Sequence, residues 1–243
     1  MVETLPSSFR GKRYVIEDDS SVFFSSLSVD AYSDCNLSTD DRWHGITGKE
    51  VKFLDLGCGY GGLLMHLGKE YPETLSLGIE IRDKVSRYVQ DRINLLRKMH
   101  EEGKVDETFQ NVAIVHTNGM KFMPNIFRKG QLEAIFICFP DPHYKKSKHK
   151  WRIVSYNLLS EYAYLLQNGG KIFIVTDVPQ LYEWMMKHLK AHPLFELDSA
   201  ESDENMPFIT LITTTTEESK KVDKVSGEKY AAVFRRIPRR EHC

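Results

Sequence analysis

The chain has 243 residues, of which 41% are hydrophobic, 28% are charged and 11% are aromatic. This is the composition of an ordinary globular protein, and it excludes collagen-like, coiled-coil and largely disordered chains. The formal net charge is −1, which taken alone argues against a nucleic-acid partner, but the charges are unevenly distributed along the chain.

Residues 1–50 contain serines, acids and scattered aromatics without a clear hydrophobic period. Between Glu17 and Asp41 there are seven acids and no Lys or Arg. We predict an accessory, partly disordered N-terminal segment over residues 1–50, a single domain over residues 51–238 and a basic C-terminal tail over residues 239–243.

The first predicted strand, Val51–Leu56, leads directly into a glycine-rich turn. Glycines stand at positions 57, 59, 61 and 62, and apolar residues then recur at helical spacing as far as Tyr71. Leu75–Glu80 forms a second predicted strand, and a long amphipathic helix is predicted from Asp83 to about His100.

The same alternation continues along the rest of the chain. The further predicted strands are 112–116, 132–139, 171–176 and one near 230–234, and the further helices are 158–166 and 179–192. We expect the helix over 158–166 to end at the C-cap signal Asn168-Gly169-Gly170. This alternation predicts an α/β fold with a mostly parallel sheet and helices on both faces, whose ligand binds at the carboxyl ends of the strands.

The turn after the first strand matches a cofactor-binding pattern. Gly57, Gly59 and Gly62 fit G-x-G-x-x-G, in which glycine permits a sharp turn and the close approach of a ligand. Glu80, at the end of the second strand, can accept hydrogen bonds from both hydroxyls of a ribose. These features suit a nicotinamide dinucleotide or S-adenosylmethionine. Asp55 favours the latter because that cofactor is cationic, and an NAD-dependent oxidoreductase stays open as the alternative.

The segment after the fourth strand, Phe139-Pro140-Asp141-Pro142-His143-Tyr144, is held extended by its two prolines. It presents Asp141 at the sheet edge on which the cofactor would bind. A ring nitrogen such as guanine N7 has a free lone pair, so its methylation needs no general base. A carboxylate there can stabilise the positive charge that forms on the purine. Asp141 is the predicted catalytic residue.

A basic run follows this segment directly. Between Pro142 and Arg152 there are five cations and two histidines, and no acid. The residues predicted to contact RNA are His143, Lys145, Lys146, Lys148, Lys150 and Arg152. Such cations bind phosphates and bring a base to Asp141, but they do not read its sequence. The four cysteines are scattered, so we expect reduced thiols and no metal site.

Several motifs together resemble one known family. They are Asp-Leu-Gly-Cys-Gly-Tyr-Gly-Gly (55–62), Gly-Ile-Glu-Ile-Arg (78–82), Phe-Pro-Asp-Pro-His-Tyr-Lys-Lys (139–146), Lys-His-Lys-Trp-Arg (148–152), Asn-Gly-Gly (168–170), Thr-Asp (176–177) and Thr-Glu-Glu-Ser-Lys (216–220). In order and spacing, from about Val51 to Pro238, they resemble the tRNA (guanine-N7-)-methyltransferases, most closely the eukaryotic branch.

The resemblance implies a Rossmann-like class I fold dependent on S-adenosylmethionine, with a seven-stranded, mostly parallel sheet. It implies methylation of N7 of a guanine in the tRNA variable loop, with Asp141 as the active-site carboxylate. Together with the glycine pattern, it assigns the cofactor site to Gly57, Gly59, Glu80, Arg82, Asn118, Gly119, Cys138, Thr216 and Glu218. It also implies a WD-repeat, non-catalytic partner subunit and residence in the nucleus. We expect no membrane attachment, because the longest purely apolar run, residues 134–139, is far short of a membrane span.

The N-terminal 50 residues depart from the pattern of that family. Its members usually carry an N-terminal arm rich in Arg, His and Asn that reaches the active site, whereas acids and serines dominate here. A catalytically impaired RNA-binding subunit of the same fold is therefore the alternative function.

Overall fold

The computed structural model describes residues 50–238, which form a seven-stranded sheet flanked by helices. The N-terminal segment before residue 50 and the tail over 239–243, with Cys35 and Cys243, lie outside the described residues. The strands are β1 (Val51–Leu56), β2 (Leu75–Glu80), β3 (Val112–His116), β4 (Leu132–Cys138), β5 (Leu166–Thr176), β6 (Phe195–Asp198) and β7 (Tyr230–Arg236). The helices are α1 (Gly62–Glu70), α2 (Asp83–Glu101), α3 (Gly119–Ile126), α4 (Tyr156–Leu165), α5 (Pro179–Ala191), α6 (Met206–Thr214) and α7 (Glu217–Lys224), with a 3-10 helix over Lys146–Trp151.

The strand order is β3-β2-β1-β4-β5-β7-β6. The five strands from β3 to β5 are parallel, whereas β7 pairs antiparallel with both β5 and β6. The order reverses between β1 and β4, because the chain builds outward from β1 to β3 and then returns to β4. Ligands of such sheets bind outside the carboxyl ends of the strands at this reversal.

Apolar side chains cover both faces of the sheet. On one face, Leu54 of β1 and Ile135 of β4 are fully buried in a core shared with α3, α4 and α5. On the other face, Phe53 and Phe136 pack against α1 and α6, and a smaller cluster continues under α2. Alternate residues of β1 and β4 thus face opposite helical layers, as two-sided burial of a parallel sheet requires.

The predicted fold class is confirmed: the sheet has seven strands, is mostly parallel and is covered on both sides. The predicted bounds of β1, β2 and β3 are those of the structure. Buried strands rich in Val, Ile, Leu and Phe and bounded by turn residues are what made these elements predictable.

The expectation that Asn168-Gly169-Gly170 ends a helix is wrong. α4 already ends at Leu165, and β5 begins at Leu166. The register of β4 against β5 moves from Leu132–Leu166 to Ala134–Lys171, so the glycines lie in a bulge of β5. Gly169 has φ +81°, a left-handed conformation that glycine adopts without steric cost in a bulge as well as at a helix end.

Several elements of the structure were not predicted from the sequence. They are α3, the 3-10 helix, β6, α6 and α7. α3 contains Pro124, and α6 has the sequence Met-Pro-Phe-Ile-Thr-Leu-Ile-Thr-Thr, whose β-branched residues suit a strand. In both helices tertiary packing outweighs local propensity, since Met123 and Ile212 are fully buried.

Candidate active site

Three neighbouring strands end at the same level beside the reversal in strand order. Leu56 of β1 pairs with Ile79 of β2, and Asp55 pairs with Phe136 of β4. If each pairing is extended to Gly57, that residue lies opposite Glu80 at the end of β2 and opposite Cys138 at the end of β4. Because neighbouring strands lie about 4.8 Å apart, Glu80 and Cys138 flank the glycine turn at roughly 10 Å from each other.

The glycine turn after β1 adopts a conformation that side chains disfavour. Gly57 and Gly59 have φ values of +79° and +54°. The N–H of Gly57 donates to the carbonyl of Ile79 at 2.8 Å, which ties the turn to the end of β2. A Cβ built on Gly57 meets no atom within 4 Å, so the space above the turn is open to a ligand.

Glu80 is buried but well supplied with hydrogen bonds. Its carboxylate accepts the N–H of Gly59 at 3.1 Å and, from Arg82, the backbone N–H at 2.9 Å and guanidinium bonds at 3.0 and 3.2 Å. Burial acts to raise the pKa of Glu80, but the bonds from Arg82 and Gly59 outweigh it and hold the pKa below its usual value. Glu80 is therefore a carboxylate fixed beside the open turn, where the sequence predicted an acceptor for ribose hydroxyls.

Asp55 lies beneath the turn with only 2% of its surface exposed. Its Oδ2 is buried and has no hydrogen-bond partner among the described residues. Burial, followed by repulsion from Glu217 and then from Glu80, raises the pKa of Asp55 to about 8. The raised pKa keeps Asp55 protonated at neutral pH, and a cation bound nearby would offset the repulsion from the two acids and favour the ionised form.

Sequence reasoning missed Glu217, which joins α7 to the glycine turn. Its Oε2 accepts the N–H of Gly62 at 3.2 Å, and its Oε1 accepts a bond from Arg92 of α2 at 3.1 Å. Arg92 also donates to the carbonyl of Tyr60 inside the turn, at 3.0 Å. Glu217 thus occupies the N-terminus of α1, where a carboxylate is favoured by the free N–H groups and the helix dipole.

The two predicted cofactor contacts beside Glu217 have different surroundings. Thr216 is buried and is the N-cap of α7, with its hydroxyl accepting the N–H of Ser219 at 2.9 Å. Glu218 is exposed and pairs with Lys221 at 2.6 Å. The signal that could have located Glu217 is the Thr-Glu-Glu sequence itself, because an N-cap threonine followed by acids marks the first turn of a helix.

Asn118 and Gly119 stand where β3 leads into α3, at the same edge of the sheet. Asn118 is the half-buried N-cap of α3. Gly119 is buried, and a Cβ built on it would lie 2.5 Å from Cδ1 of Leu56. A side chain at position 119 would therefore have to displace the side chain of Leu56 on β1, which glycine avoids.

Cys138 ends β4 directly across from the glycine turn and is half-buried. Burial, and secondarily the negative charge at Asp55, raise the pKa of its thiol well above the usual value. A raised pKa favours the protonated thiol, so Cys138 suits a lining residue of the edge better than a nucleophile. Cys58 and Cys138 are both free of disulfides.

The segment after β4 turns Asp141 outward to solvent. Phe139 has φ +48° and donates its N–H to the carbonyl of Val175 at 2.8 Å, which fixes the chain to the end of β5. The side chain of Asp141 is 70% exposed, and its Oδ1 accepts the N–H of His143 at 2.9 Å. Asp141 follows Cys138 by three residues, so it lies at the same carboxyl edge as Glu80 and the glycine turn.

The basic run forms the 3-10 helix and the residues just before it. Lys145, Lys146, Lys148 and Lys150 are all exposed, and Nζ of Lys150 lies 5.3 Å from the centroid of the Trp151 ring. His143 is half-buried. The four lysines therefore present their charges to solvent beside Asp141.

Arg152 does not belong to this exposed set, and its contact with RNA stays a prediction. The residue is 7% exposed, its Nε donates to the carbonyl of Pro142 at 2.8 Å, and its guanidinium lies 4.5 Å from the centroid of the Trp184 ring. Trp184 belongs to α5, 32 residues later in the sequence. The burial of Arg152 therefore could not be predicted from the basic run, in which it stands among exposed lysines.

Within residues 50–238, no three His, Cys, Asp or Glu side chains are grouped so that they could hold a metal ion. None of the helices in this part of the chain is long and apolar enough to cross a membrane.

Comparison with known protein sequences gives a consistent result. A family described as "Putative methyltransferase" matches residues 49–232. A Caenorhabditis elegans protein named tRNA (guanine-N(7)-)-methyltransferase is 52% identical over 191 residues, which cover 79% of this chain and 73% of that protein. A Mus musculus protein of the same name is 53% identical over 191 residues, covering 79% of this chain and 69% of the mouse protein.

Comparison with solved structures shows the same fold at low sequence identity. An antibiotic-related methyltransferase aligns with a TM-score of 0.52 and 18% identity, covering 80% of this chain and 92% of its own. The aminoglycoside resistance methyltransferase NpmB1 aligns with a TM-score of 0.50 and 14% identity, covering 79% and 90%. At these identities the likeness concerns the fold alone.

Proposed function

This chain belongs to the tRNA (guanine-N(7)-)-methyltransferase family, and from that premise we propose that it transfers a methyl group from S-adenosylmethionine to N7 of a guanine in tRNA, forming 7-methylguanosine. We place the target guanine in the variable loop. Family membership removes the nicotinamide oxidoreductase, and the names of the relatives do not favour the catalytically impaired subunit.

The observation that carries this proposal is the meeting of three features at one sheet edge. The open glycine turn follows β1, the fixed carboxylate of Glu80 ends β2, and the exposed carboxylate of Asp141 follows β4. β1 lies between the other two strands, which supports a cofactor on the turn with Glu80 on one side and the Asp141 segment on the other.

The residues at this edge fit S-adenosylmethionine, which supplies a methyl group activated by a positively charged sulfur. Gly57 leaves open space above the turn, and Glu80 can exchange its present donors for ribose hydroxyls. Burial and then the charges of Glu217 and Glu80 raise the pKa of Asp55, whose Oδ2 has no partner among the described residues, and a cationic ligand at that place would offset the repulsion. Asn118 and Cys138 bound the cleft on either side of the turn.

In this mechanism the protein positions groups and stabilises charge, and it does not remove a proton. The N7 lone pair of guanine is free, so Asp141 acts as an electrostatic partner and not as a base. Its carboxylate can accept hydrogen bonds from the N1 and N2 donors of the guanine, and it stabilises the positive charge that develops on the ring. Correct placement of the base supplies a further large part of the rate.

The RNA contacts of the proposal are the exposed cations next to Asp141. Lys145, Lys146, Lys148 and Lys150 can bind phosphates on either side of the target nucleotide. His143 can stack on the base, because its ring lies beside Asp141, with Nδ1 3.5 Å from Oδ1. We also propose a WD-repeat partner subunit and nuclear residence, both of which rest on the resemblance to the eukaryotic branch.

The proposed function predicts that purified protein, with its WD-repeat partner present, labels tRNA from methyl-tritiated S-adenosylmethionine. Asp141→Asn keeps the shape of the side chain and removes its charge, so we expect kcat to fall by about 100-fold, as for loss of a preorganised electrostatic partner. Binding of S-adenosylmethionine, measured by calorimetry, should change little.

Two results would contradict the proposal. Absence of label in tRNA treated with wild-type protein and partner would refute the methyltransferase function. Unchanged labelling by Asp141→Asn would remove Asp141 from its role, and Asp106→Asn, a matched change in the exposed loop between α2 and β3, serves as the control.

A further inference from the structure

Arg152 joins the two ends of the segment that carries the exposed lysines, a segment defined here as the basic loop, residues 142–152. Its Nε donates to the carbonyl of Pro142, the first residue of the loop, at 2.8 Å. Its backbone N–H donates to the carbonyl of His149 at 3.0 Å, within the 3-10 helix. The basic loop is therefore closed at its base by one side chain.

The same guanidinium is held against the body of the protein. It lies 4.5 Å from the centroid of the Trp184 ring, at a distance typical of a cation–π contact. Trp184 is itself fixed, because its Nε1 donates to the carbonyl of Val154 at 2.8 Å. The ring of His149 lies 5.2 Å from that of Trp184, edge to face, so the 3-10 helix also rests on α5.

Pro142, which accepts the bond from Arg152, is the residue next to Asp141. On its N-terminal side, the segment that carries Asp141 is fixed to β5, because the N–H of Phe139 donates to the carbonyl of Val175. The backbone of Asp141 thus has two anchors, one at the sheet and one at Arg152. The bond from Arg152 to Pro142 also closes the base of the basic loop, which carries the four exposed lysines.

We propose that Arg152 is a positioning residue, which sets the place of Asp141 relative to the phosphate-binding lysines and does not itself contact RNA. This inference rests on the proposed function. It assigns different roles to neighbouring cations: the four exposed lysines bind the RNA, and the buried arginine positions the backbone next to Asp141. RNA docked on the lysines then presents its base to an Asp141 whose position Arg152 has already fixed.

An arginine is required for this role because of its geometry. The guanidinium lies against the Trp184 ring while its Nε–H donates to Pro142, and an ammonium group on a flexible stem lacks the rigid planar fork that allows both contacts. Arg152→Lys, which keeps the charge, should therefore resemble Arg152→Met. A residue that only supplied charge to RNA would tolerate that change.

The test compares Arg152→Lys, Arg152→Met and Lys148→Ala under the same conditions. For both Arg152 variants we expect kcat at saturating tRNA to fall about 10- to 100-fold, as a displaced catalytic group does, while the Kd for tRNA stays within about twofold. Lys148→Ala should do the opposite, raising the Kd for tRNA with little loss of kcat. Arg235→Met is the control, because Arg235 pairs with Glu196 at the opposite sheet edge and should leave both constants unchanged.

A readout independent of activity separates positioning from general instability. Hydrogen exchange at the amide of His143, which donates to Asp141, should become faster in both Arg152 variants and in Trp184→Leu, while exchange in β1 and β4 stays slow. Trp184→Leu keeps the test usable if either Arg152 variant fails to fold.

The outcomes separate failure of this inference from failure of the proposed function. Arg152 variants that lose tRNA affinity as Lys148→Ala does, with kcat and His143 exchange unchanged, would overturn the inference. A wild-type protein that does not label tRNA would refute the proposed function instead, and faster His143 exchange in the variants would still support the positioning role of Arg152.

Discussion

Asp55 places a carboxyl group inside the protein next to two further acids, Glu217 and Glu80. The native state therefore favours the protonated form, with the pKa raised from 3.8 to about 8 by burial first and then by these neighbours. In the unfolded chain the same group is ionised above about pH 4. Between these values the native state holds one proton more than the unfolded state, so Asp55 lowers the stability of the ligand-free protein as pH rises.

This linkage predicts how Asp55→Asn changes the pH profile of stability. Each pH unit between the two pKa values costs about 1.4 kcal/mol, so the free energy of unfolding of the wild type should fall by about 2 kcal/mol more than that of the variant between pH 6 and pH 8. Urea unfolding at the two pH values, without cofactor, measures the difference.

The control for that experiment is Asp141→Asn, because the carboxyl of Asp141 is 70% exposed. Its profile should run parallel to that of the wild type. Parallel profiles for Asp55→Asn and the wild type would show that Asp55 is ionised in the native protein at pH 6, contrary to the prediction.

Single residues differ in how far the sequence could place them. The position of Glu80 was predictable, because it ends a short apolar strand that follows the glycine turn, and its contact with a ribose stays a prediction. Arg152 was not, because its burial depends on Trp184, a residue 32 positions later that packs on it only in the folded chain. A cation among other cations gives no sequence signal of burial.

At the scale of elements, α7 stabilises the glycine turn, although the two are about 155 residues apart in sequence. Glu217 is its first residue, and it bonds both to the start of α1 and to Arg92 of α2. A Cβ built on Gly62 would lie 2.7 Å from Glu217 Oε2 and from the carbonyl of Thr215. The contact between α7 and α1 therefore requires a glycine on one side and a carboxylate on the other.

This contact predicts that Glu217→Ala weakens both the fold and the cofactor site. Loss of the bond at the α1 N-terminus should cost about 1 kcal/mol, a usual value for a helix cap, and should raise the Kd for S-adenosylmethionine because the turn loses its brace. Urea unfolding and calorimetry measure the two effects.

Glu218→Ala is the matched variant for the stability measurement, since Glu218 is exposed and pairs with Lys221 in the same helix. Equal losses of stability in the two variants would contradict the assignment of the brace to Glu217.

The elements that sequence analysis missed share a physical cause. β1 to β4 are short apolar runs between turn residues, and this pattern is local. α6 and α7 lie in a tail whose order comes from packing on α1 and β5, and their own sequences are ambiguous or strongly polar. Local patterns therefore predicted most strands of the sheet, whereas long-range contacts determined α6 and α7.

For the molecule as a whole, net charge is a poor guide to its partners. The chain carries a formal charge of −1, yet four exposed lysines lie within six residues beside Asp141. Salt screens charges beyond about 10 Å at 0.1 M, so an RNA phosphate at the basic loop responds to those lysines and little to distant acids.

The charge distribution predicts the salt dependence of tRNA binding. Each lysine that contacts a phosphate should contribute about 0.7–0.9 to the slope of log affinity against log salt. Lys146→Ala combined with Lys148→Ala should therefore lower the slope by about 1.5, as measured by filter binding from 50 to 300 mM KCl. Lys98→Ala, an exposed lysine near the end of α2, should leave it unchanged, and a double variant with the wild-type slope would place the RNA elsewhere.

The position of β7 has a consequence for how the protein is made. β7 comes after every other described element in chain order, yet it fills an interior place between β5 and β6. Until residues 230–236 leave the ribosome, β5 has an unsatisfied backbone edge and β6 has no neighbour in the sheet. From the synthesis of β5 and β6 until β7 follows, the nascent chain therefore exposes an unpaired strand edge, which is the kind of surface that promotes misassembly and aggregation.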